Sequence, residues 1–301
     1  FWCGTLFLAG GTNCLRARSR LWGMVDSLWA PRLIASDIDG TLLDKNHRVT
    51  KRNREVIARA VASGAYFALS TGRPFRWIAP VLEQLPVRPV CVTSNGAVIY
   101  DSAEDKLLNV HALSPAAITE VIAVAQEVLD PLGGAGFGAE RGGTSLADPV
   151  EELFVVEPHY SENALFDGFG VVSIDELAAE PAVKLLIRNT QFSAPELYDL
   201  IAPRVDPTVA HVTYSMTEGI LEVAAPNVTK RKGVSWLAEN FGIERSDIIA
   251  FGDMPNDIEM LSWVGRGVAM GNAHPAVKEA ADEVTMANHQ SGVAKVLEQW
   301  F

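Results

Sequence analysis

Cysteine is scarce in this sequence of 301 residues. The three cysteines, Cys3, Cys14 and Cys91, follow no regular spacing, which argues against a disulfide framework and against a zinc site. Cys91 lies in the apolar run 90–92, where a small buried side chain is favoured over a reactive nucleophile. The cysteines therefore indicate neither a secreted scaffold nor thiol chemistry.

Basic residues are also few, since 25 lysines and arginines face 37 aspartates and glutamates, and the formal net charge is −12. A general nucleic-acid-binding protein needs a basic face that displaces counterions from phosphates. We therefore expect no nucleic-acid partner. The charge balance is still compatible with an anionic small ligand, because a bound metal ion and a few basic groups can set the local field.

Long apolar runs are lacking as well: none approaches the ~18 residues that span a bilayer, so we expect no membrane partner. The apolar and glycine-rich segment 1–11 precedes the arginines of segment 16–20, whereas a signal peptide carries its positive charges first. We expect a cytoplasmic protein on this basis. We also expect that residues 1–23 do not belong to the natural chain, that Met24 begins it, and that residues 1–29 lie outside the fold.

What the sequence does contain is enough apolar material for a core, with 48% hydrophobic and 21% charged residues, as in ordinary globular domains. Short apolar runs end in polar or glycine-rich turns, and helical patterns at 52–63 and 232–241 lie between them. Uninterrupted runs of this kind suit strands buried on both faces of a parallel sheet. The runs are 33–35, 66–69, 90–92, 248–251 and 267–270. The pattern predicts a doubly wound, Rossmann-type α/β core.

The middle of the chain has a different pattern, with strand-like runs at 153–156, 183–187 and 220–223. Helices are predicted at 114–129, where Ser114 can cap and Pro115 fits the first position, and at 195–201. The segment Leu132–Thr144 holds six glycines and is interpreted as a mobile loop.

These patterns predict an α+β domain inserted into the α/β core. We place the inserted domain at residues 112–225. The core then consists of residues 30–111 and 226–301.

Polar residues follow the predicted core strands. In open α/β sheets, ligands bind beyond the carboxyl ends of the strands. Asp37, Asp39, Thr71, Asn95 and Asp253 should therefore converge on one crevice, although more than 200 residues separate the first from the last.

Asp37 and Asp39 stand two residues apart on extended backbone, so their carboxylates project to the same side. One could bind a metal ion and attack an electrophile while the other moves protons. Gly40 permits a tight exit from the strand. Such a pair alone also occurs in sugar-nucleotide transferases and in surface turns, so its meaning depends on the other motifs.

Two further segments could contact an anion. The hydroxyl of Thr71, followed by Gly72, can donate a hydrogen bond to a phosphoryl oxygen, although capping of a helix explains it equally well. Lys230 opens a predicted helix, where its charge opposes the helix dipole and needs a compensating anion. A solvated basic run is the alternative for Lys230.

Asp253 ends an apolar strand and is followed by Asn256 and Asp257 at a helix start. Mg²⁺ prefers hard oxygen ligands in octahedral geometry. Asp253 and Asp37 could supply carboxylates for it. Helix capping would explain Asn256 or Asp257, but it does not explain Asp253.

In this order, the motifs resemble those of haloacid dehalogenase superfamily phosphatases, in the Cof-like (IIB) branch. The matching segments are Asp37–Thr41, Ser70–Arg73, Ser94–Ala97, Lys230, Gly252–Asp257, Val268–Ala273 and Gly292–Ala294. The resemblance runs from about Leu33 to the C-terminus. Arg231 departs from it, because a glycine is common at that place.

The resemblance implies a Mg²⁺-dependent phosphatase that hydrolyses a small phosphorylated metabolite through an aspartyl-phosphate intermediate, with the insert as a cap domain. It implies that Asp37 is the nucleophile, that Asp39 is the general acid and then the base, and that Thr71 and Lys230 hold the phosphoryl group. The implied metal ligands are Asp37, the Asp39 carbonyl and Asp253, supported by Asn256 and Asp257. The expected substrate contacts are Gly40, Thr41, Gly72, Arg73 and Asn95.

Arg73 could contact a second anion or a sugar hydroxyl, or form a structural ion pair. For His211, Tyr214 and Glu218, near the end of the insert, a structural or solvated role is favoured over substrate specificity. Sugar phosphates are the default substrates of this branch, while nucleotides, pyridoxal phosphate and flavin mononucleotide remain open.

Three alternatives remain beside hydrolysis. A phosphomutase would pass the phosphoryl group to a sugar hydroxyl. A receiver-type phospho-sensor also has an aspartate, Mg²⁺, a threonine and a lysine, but it lacks the second aspartate and the insert. A binding module without catalysis would leave the complete residue set unexplained. The sequence does not predict the oligomeric state.

Overall fold

The structure is a computed structural model that describes residues 29–165 and 167–301. Residues Pro31–Phe301 form one compact unit. Within the described ranges, no helix combines the length and apolar character that crossing a bilayer requires. The expectations for segment 1–29 and for a start at Met24 concern residues that, except for Trp29, lie outside the described ranges.

The described ranges contain fourteen strands, which pair into two sheets. In chain order they are β1 (Leu33–Ser36), β2 (Tyr66–Ser70), β3 (Val90–Thr93), β4 (Val98–Asp101), β5 (Lys106–Val110), β6 (Gly136–Glu140), β7 (Phe154–Val156), β8 (Gly170–Val171), β9 (Lys184–Arg188), β10 (His211–Thr213), β11 (Ile220–Ala224), β12 (Ile248–Gly252), β13 (Arg266–Ala269) and β14 (Glu283–Val284).

Eleven α-helices lie in the same ranges of the chain. They are α1 (Lys51–Ala62), α2 (Ala79–Leu82), α3 (Pro115–Leu129), α4 (Val150–Leu153), α5 (Pro158–Glu162), α6 (Ile174–Ala178), α7 (Ala194–Ile201), α8 (Lys230–Phe241), α9 (Ile258–Trp263), α10 (Pro275–Ala280) and α11 (Gly292–Leu297).

The larger sheet has the strand order β14-β13-β12-β1-β2-β3-β4-β5. Its strands pair in parallel from β14 to β3, and β4 and β5 extend it as antiparallel strands. Strands β1 and β12 are buried along their whole length, as expected for apolar runs at the centre of a parallel sheet. The predicted α/β core and its five predicted strands are confirmed.

The four predicted helices are confirmed as α1, α3, α7 and α8. Ser114 accepts a hydrogen bond from the backbone N–H of Ala117, and Pro115 occupies the first position of α3. Helix α8 begins at Lys230, two residues before the predicted start, with Thr229 as its cap.

Cys91 is fully buried, and burial raises the pKa of its thiol, so it is an inert core residue as predicted.

The smaller sheet has the order β10-β11-β9-β6-β7-β8 and is antiparallel except for the pair β7 and β8. All six strands fall between β5 and β12 in the chain, so this α+β domain is inserted into the core, and we call it the cap. The boundaries at 112 and 225 stay a prediction.

The two faces of the cap sheet differ, because side chains alternate along a strand. Phe137, Leu185 and Val223 point to one face and join the main cap core with residues of α3 and α7. Phe154 and Leu186 point to the other face, within a smaller apolar cluster. The second face therefore carries little apolar packing of its own.

The interpretation of Leu132–Thr144 as a mobile loop is wrong. Its centre is strand β6, whose five residues are all buried between β9 and β7. A Cβ on Gly136 would lie 2.7 Å from the Cα of Tyr160, so this glycine permits close packing of α5 on the strand. Glycine frequency alone does not distinguish close backbone packing from flexibility.

Candidate active site

Strands β12, β1 and β2 lie side by side and in parallel, so the residues that follow them meet at one edge of the sheet. Asp37, Thr71 and Asp253 stand there, with 5%, 1% and 7% of their surface exposed. The predicted convergence of these residues is found. Buried polar side chains at strand ends are held by hydrogen bonds or ion pairs, and each of the three has such partners.

Asp37 is paired with a buried lysine. Lys230 Nζ donates to Asp37 Oδ1 and to Asp257 Oδ1, both at 2.7 Å. Burial lowers the pKa of Lys230, but the attraction of Asp257 and Asp37 outweighs burial and raises that pKa, so the ammonium stays charged. Burial raises the pKa of Asp37, and Lys230 opposes this rise. Asp37 Oδ2 makes no hydrogen bond to a described residue.

Asp257, predicted as a supporting metal ligand, is fully enclosed. It is 0% exposed, and its Oδ2 accepts from the backbone N–H groups of Asp253 and Met254 at 2.9 and 3.0 Å. Both oxygens are thus engaged, one by Lys230 and one by the loop after β12. Asp257 therefore holds the loop after β12 in place and orients Lys230.

Thr41 and Gly40, two of the expected substrate contacts, both pack against Asp253. Thr41 Oγ1 donates to Asp253 Oδ1 at 2.8 Å. A Cβ on Gly40 would lie 2.1 Å from Asp253 Oδ2, and Gly40 has a φ of +75°, so only glycine suits this position. Burial, and then Asp257, raises the pKa of Asp253 to about 7.

Asp39 is held by Arg73. The guanidinium Nε donates to Asp39 Oδ2 at 2.6 Å, and a second nitrogen donates to Oδ1 at 2.5 Å. Thr71 Oγ1 accepts from the Arg73 backbone N–H at 3.1 Å, which leaves the Thr71 hydroxyl proton to be donated. Of the alternatives for Arg73, the structure therefore has the ion pair, and its partner is the second aspartate of the first motif.

Asn95 lies beside Asn256, which donates to its Oδ1 at 2.9 Å. Asn256 Oδ1 is buried and has no hydrogen-bond partner among the described residues, which is uncommon for a buried polar atom. Gly72 is close to Asn95 as well, since a Cβ there would lie 3.2 Å from Asn95 Oδ1. The two asparagines thus connect the loops after β3 and β12.

The site fits a divalent cation. Carboxylate oxygens of Asp37, Asp253 and Asp257, all buried, lie within 4.8 Å of one another. One ammonium, Lys230, faces these three acids, which leaves excess negative charge in a buried place. Hard oxygen donors with a net negative charge are what Mg²⁺ prefers.

A cavity of about 870 Å³ opens in front of this edge and is lined by both the core and the cap. From the core, Asp37, Asp39 and Thr71 line it, together with Arg73 and Asn256. The cap residues that line it include Glu140, Phe154, Lys184, Leu186, Glu218, Ile220 and Glu222. They lie mainly on the sparsely packed face of the cap sheet.

Glu140, Lys184 and Glu222 form a buried ionic group that we call the cap cluster. Lys184 Nζ lies 3.3 Å from Glu222 Oε1 and 3.7 Å from Glu140 Oε2, and it donates to the carbonyl of Gly72 at 2.5 Å. Ser94 donates to Glu140 at 2.8 Å. The cap cluster thus joins the cap to core loops of the site.

Ser215 and Asn95 complete the hydrogen bonding of this cluster. Ser215 Oγ donates to Glu222 Oε1 at 3.0 Å, and Asn95 Nδ2 donates to Glu222 Oε2 at 2.5 Å. Asn95 therefore bridges the cap and the loop that carries Asn256.

The sequence reasoning missed the cap cluster. A signal was available, because Lys184 and Glu222 are single charged residues inside apolar strand runs. Glu218, expected to be structural or solvated, lines the cavity. Tyr214 packs against Tyr198 with the main cap core, as expected of a structural residue.

The sequence profile of the family described as haloacid dehalogenase-like hydrolase matches residues 34–297 of this chain. The chain belongs to this family. The match covers both segments of the core and the whole cap. It confirms the predicted superfamily and enzyme class, a hydrolase of the haloacid dehalogenase phosphatase type.

Curated relatives of this haloacid dehalogenase-like hydrolase are similar over nearly their whole length. The 5-amino-6-(5-phospho-D-ribitylamino)uracil phosphatase YitU of Bacillus subtilis is 28% identical over 90% of this chain and 98% of its own length. The HMP-PP phosphatase of Serratia proteamaculans is 31% identical over 89% of this chain and 95% of its own.

Solved structures agree with the fold. A haloacid dehalogenase-like hydrolase from Bacteroides thetaiotaomicron has a TM-score of 0.68 and 28% identity, covering 90% of this chain and 100% of that chain. A subclass IIB sugar phosphatase has a TM-score of 0.73 at 24% identity, covering 89% of this chain and 98% of that chain. The predicted Cof-like (IIB) fold, with its cap, is confirmed.

Proposed function

We propose that this haloacid dehalogenase-like hydrolase is a Mg²⁺-dependent phosphatase that hydrolyses a small phosphorylated metabolite through a phosphorylated Asp37. One observation carries the proposal. Asp37 is oriented by Lys230 at 2.7 Å, its second oxygen bonds to none of the described residues, and it lines a cavity shared with Asp39 and Thr71. A carboxylate nucleophile placed in this way divides hydrolysis into two easier displacements.

Asp37, Asp253 and the backbone carbonyl of Asp39 would hold the Mg²⁺. When bound, the ion supplies positive charge that offsets the repulsion between the Asp37 carboxylate and the phosphate dianion. Asn256 Oδ1, which is buried and has no partner in the described ranges, would accept a hydrogen bond at the edge of this site. Asp257 acts on the site by holding Lys230 and the loop after β12.

In the first step, an oxygen of Asp37 forms a bond to phosphorus as the bond to the leaving oxygen breaks, and Asp39 gives its proton to that oxygen. Thr71 and Lys230 hold the phosphoryl oxygens. In the second step, Asp39 takes a proton from water, whose oxygen bonds to phosphorus and releases Asp37. Phosphoryl transfer of this kind depends mainly on positioning and charge neutralisation.

Arg73 governs the proton chemistry in this proposal. Asp39 accepts two hydrogen bonds from the guanidinium, and it must release them before it can carry a proton. A substrate that enters the cavity would compete with Asp39 for Arg73. Gly40 and Thr41 then support Asp253, while Gly72, Arg73 and Asn95 lie where a substrate would meet the core loops.

A small metabolite suits the cavity, and the relatives named above act on small phosphorylated compounds according to their names. Closure of the cap would exclude bulk water from the reacting groups. The cytoplasmic location and the absence of nucleic-acid and membrane partners remain expectations from the sequence.

Phosphate release with acetyl phosphate and a panel of phosphorylated metabolites, with and without Mg²⁺, tests this proposal. We expect Mg²⁺-dependent turnover for the natural protein and none above background for Asp37→Asn. Asn is matched to Asp in size, so loss of turnover with an unchanged melting temperature reports on the carboxylate. Turnover that persists in Asp37→Asn, or that needs no divalent cation, would contradict the proposal.

A further inference from the structure

The cap contains a second, much smaller cavity of about 20 Å³. It is formed by residues of the turn before β6, of helix α5 and its end, and of the end of β9. No described residue lines both this cavity and the large one. Arg188 stands four residues after Lys184 on β9, roughly 13 Å along the strand. The small cavity is therefore separate from the active site.

Arg188 brings a positive charge to the small cavity. Its guanidinium forms neither a hydrogen bond nor an ion pair with any described residue, and its Nε is buried. No aspartate or glutamate is found among the described residues that line the cavity. A charge withdrawn from water without a partner carries a desolvation cost, and an ion of opposite charge offsets that cost.

A second buried donor belongs to the same cavity. Tyr160 lines it and is 0% exposed, and the Tyr160 hydroxyl also lacks a hydrogen-bond partner in the described ranges. Buried polar atoms without a partner are uncommon in folded proteins. The other polar side chains of the lining are amides, the hydroxyl of Thr190 and the imidazole of His159. The lining thus offers donors and one positive charge, in a chain whose formal net charge is −12.

The glycine turn before β6 leaves room for one of these donors. Gly133 has a φ of +92°, and a Cβ on it would lie 2.2 Å from Gln191 Nε2. Gln191 lines the cavity as well. A larger residue at position 133 would displace this amide, so the glycine preserves the donor set of the cavity.

We infer that the small cavity binds one small inorganic anion, of the size of chloride, with Arg188 as its counter-charge. A volume of about 20 Å³ accommodates a particle of about the size of water and is too small for a whole nucleotide or sugar phosphate. The bound anion would connect β9 with the glycine turn and α5, and would so stabilise the cap. The inference is independent of the proposed phosphatase activity.

Thermal unfolding in sodium chloride and in sodium gluconate tests the inference. Gluconate is too large for the cavity, and equal ionic strength keeps the screening of surface charges the same. We expect the melting temperature of the natural protein to be about 2–4 °C higher in chloride, because an anion that binds the folded state stabilises it.

Arg188→Gln removes the charge and keeps a hydrogen-bond donor. In gluconate the variant should be at least as stable as the natural protein, because it lacks an uncompensated charge. Its increase in melting temperature on exchange of gluconate for chloride should be less than about a quarter of that of the natural protein.

Arg204→Gln is the matched control. Arg204 is another arginine of the cap, but its side chain is 58% exposed, it lies 3.7 Å from Glu127, and it does not line the small cavity. This variant should keep the full chloride-dependent increase of the natural protein.

Bromide, which scatters X-rays anomalously, locates the anion. In crystals of the natural protein grown with bromide, we expect an anomalous peak in contact with the Arg188 guanidinium, and none there in Arg188→Gln. An equal chloride effect in Arg188→Gln and the natural protein would overturn the inference, as would crystals without bromide in this cavity. A bromide peak without any chloride-dependent stabilisation would indicate an adventitious ion only and would overturn it as well.

Discussion

In the part of the chain that the structure describes, two lysines are buried between pairs of carboxylates, one in the core and one in the cap. Lys230 contacts Asp37 and Asp257 at 2.7 Å, and Lys184 lies 3.3 Å from Glu222 and 3.7 Å from Glu140. Both line or adjoin the same cavity. The difference between them lies in what else their carboxylates bind.

In the cap cluster, neutral donors complete the bonding of the acids, since Ser94 donates to Glu140 and Asn95 and Ser215 donate to Glu222. In the core, Lys230 is the one described side chain that bonds to Asp37, and the other carboxylate oxygen bonds to no described residue. A buried ammonium between two acids can therefore prepare one of them for reaction or fix two domains together. The remaining hydrogen bonds decide which.

The largest effect should come from Lys230→Met. The variant leaves Asp37 and Asp257 buried without their cation and removes a group that would hold the phosphoryl oxygens. We expect kcat to fall by about 10³-fold and the free energy of unfolding to fall by about 3–5 kcal/mol. Steady-state kinetics and denaturant unfolding measure the two losses. A near-normal kcat in this variant would contradict a role for Lys230 in the active site.

A smaller loss should follow Lys184→Met, because Lys184 touches no reacting atom and acts through the Gly72 carbonyl and the cap. We expect kcat/KM to fall by about tenfold, from misplacement of the loop that carries Thr71.

The double variant Lys184→Met with Glu222→Gln is the control for the charge left behind. It should recover part of the lost stability, since it removes one buried negative charge. If Lys184→Met affected kcat as strongly as Lys230→Met, the distinction between the two lysines would fail.

The affinity of the core site for Mg²⁺ should depend on pH. The pKa of Asp253 is about 7, above its value in an unfolded chain, so the folded state holds this proton more tightly. Metal-free protein should therefore lose stability as pH rises from about 4 to 7. Mg²⁺ must displace the proton, so its apparent affinity should be about 30-fold weaker at pH 5.5 than at pH 8.

Titration calorimetry at the two pH values measures this change, with Asp253→Asn as the control. The variant has no proton to displace at this position, so its residual Mg²⁺ affinity should depend less on pH. The cap cluster, whose acids are satisfied by neutral donors, should show no Mg²⁺ effect. Equal Mg²⁺ affinity at both pH values would contradict this account of Asp253.

The smallest effect is expected for an exposed lysine pair. Lys51 lies 3.6 Å from Glu55 on helix α1, and their side chains are 81% and 55% exposed. Lys51→Met should leave kcat unchanged and the melting temperature within about 1 °C, since exposed pairs contribute little. A larger shift would mean that removing any lysine destabilises the chain. Lys51→Met could then not serve as the control for Lys230→Met and Lys184→Met.

Much of the core could be predicted from the sequence, because its strands are continuous apolar runs and its motifs stand at their ends. Asp37, Thr71 and Asp253 are brought together as the parallel topology requires. The cap was harder to predict. The glycine content of strand β6 predicts a loop, whereas the close packing of Gly136 on Tyr160 depends on a contact that no local pattern records.

The hydrogen-bonded pairs inside the site could not be predicted from the sequence either. The bond between Arg73 and Asp39, and that between Lys184 and Gly72, join residues brought together only by the folded loops and by cap placement. Residue types and spacing indicated which groups could take part. They did not indicate which oxygen of Asp37 Lys230 would bind.

Trapping the intermediate tests the central claim most directly. The natural protein with Mg²⁺ would be mixed with acetyl phosphate, quenched within one turnover and reduced with borohydride, which converts an acyl phosphate into a primary alcohol. Peptide mass spectrometry should find the reduced side chain at Asp37, and no reduced side chain at that position in the Asp37→Asn variant. Reduction at another carboxylate, or turnover with no reducible intermediate, would contradict the account.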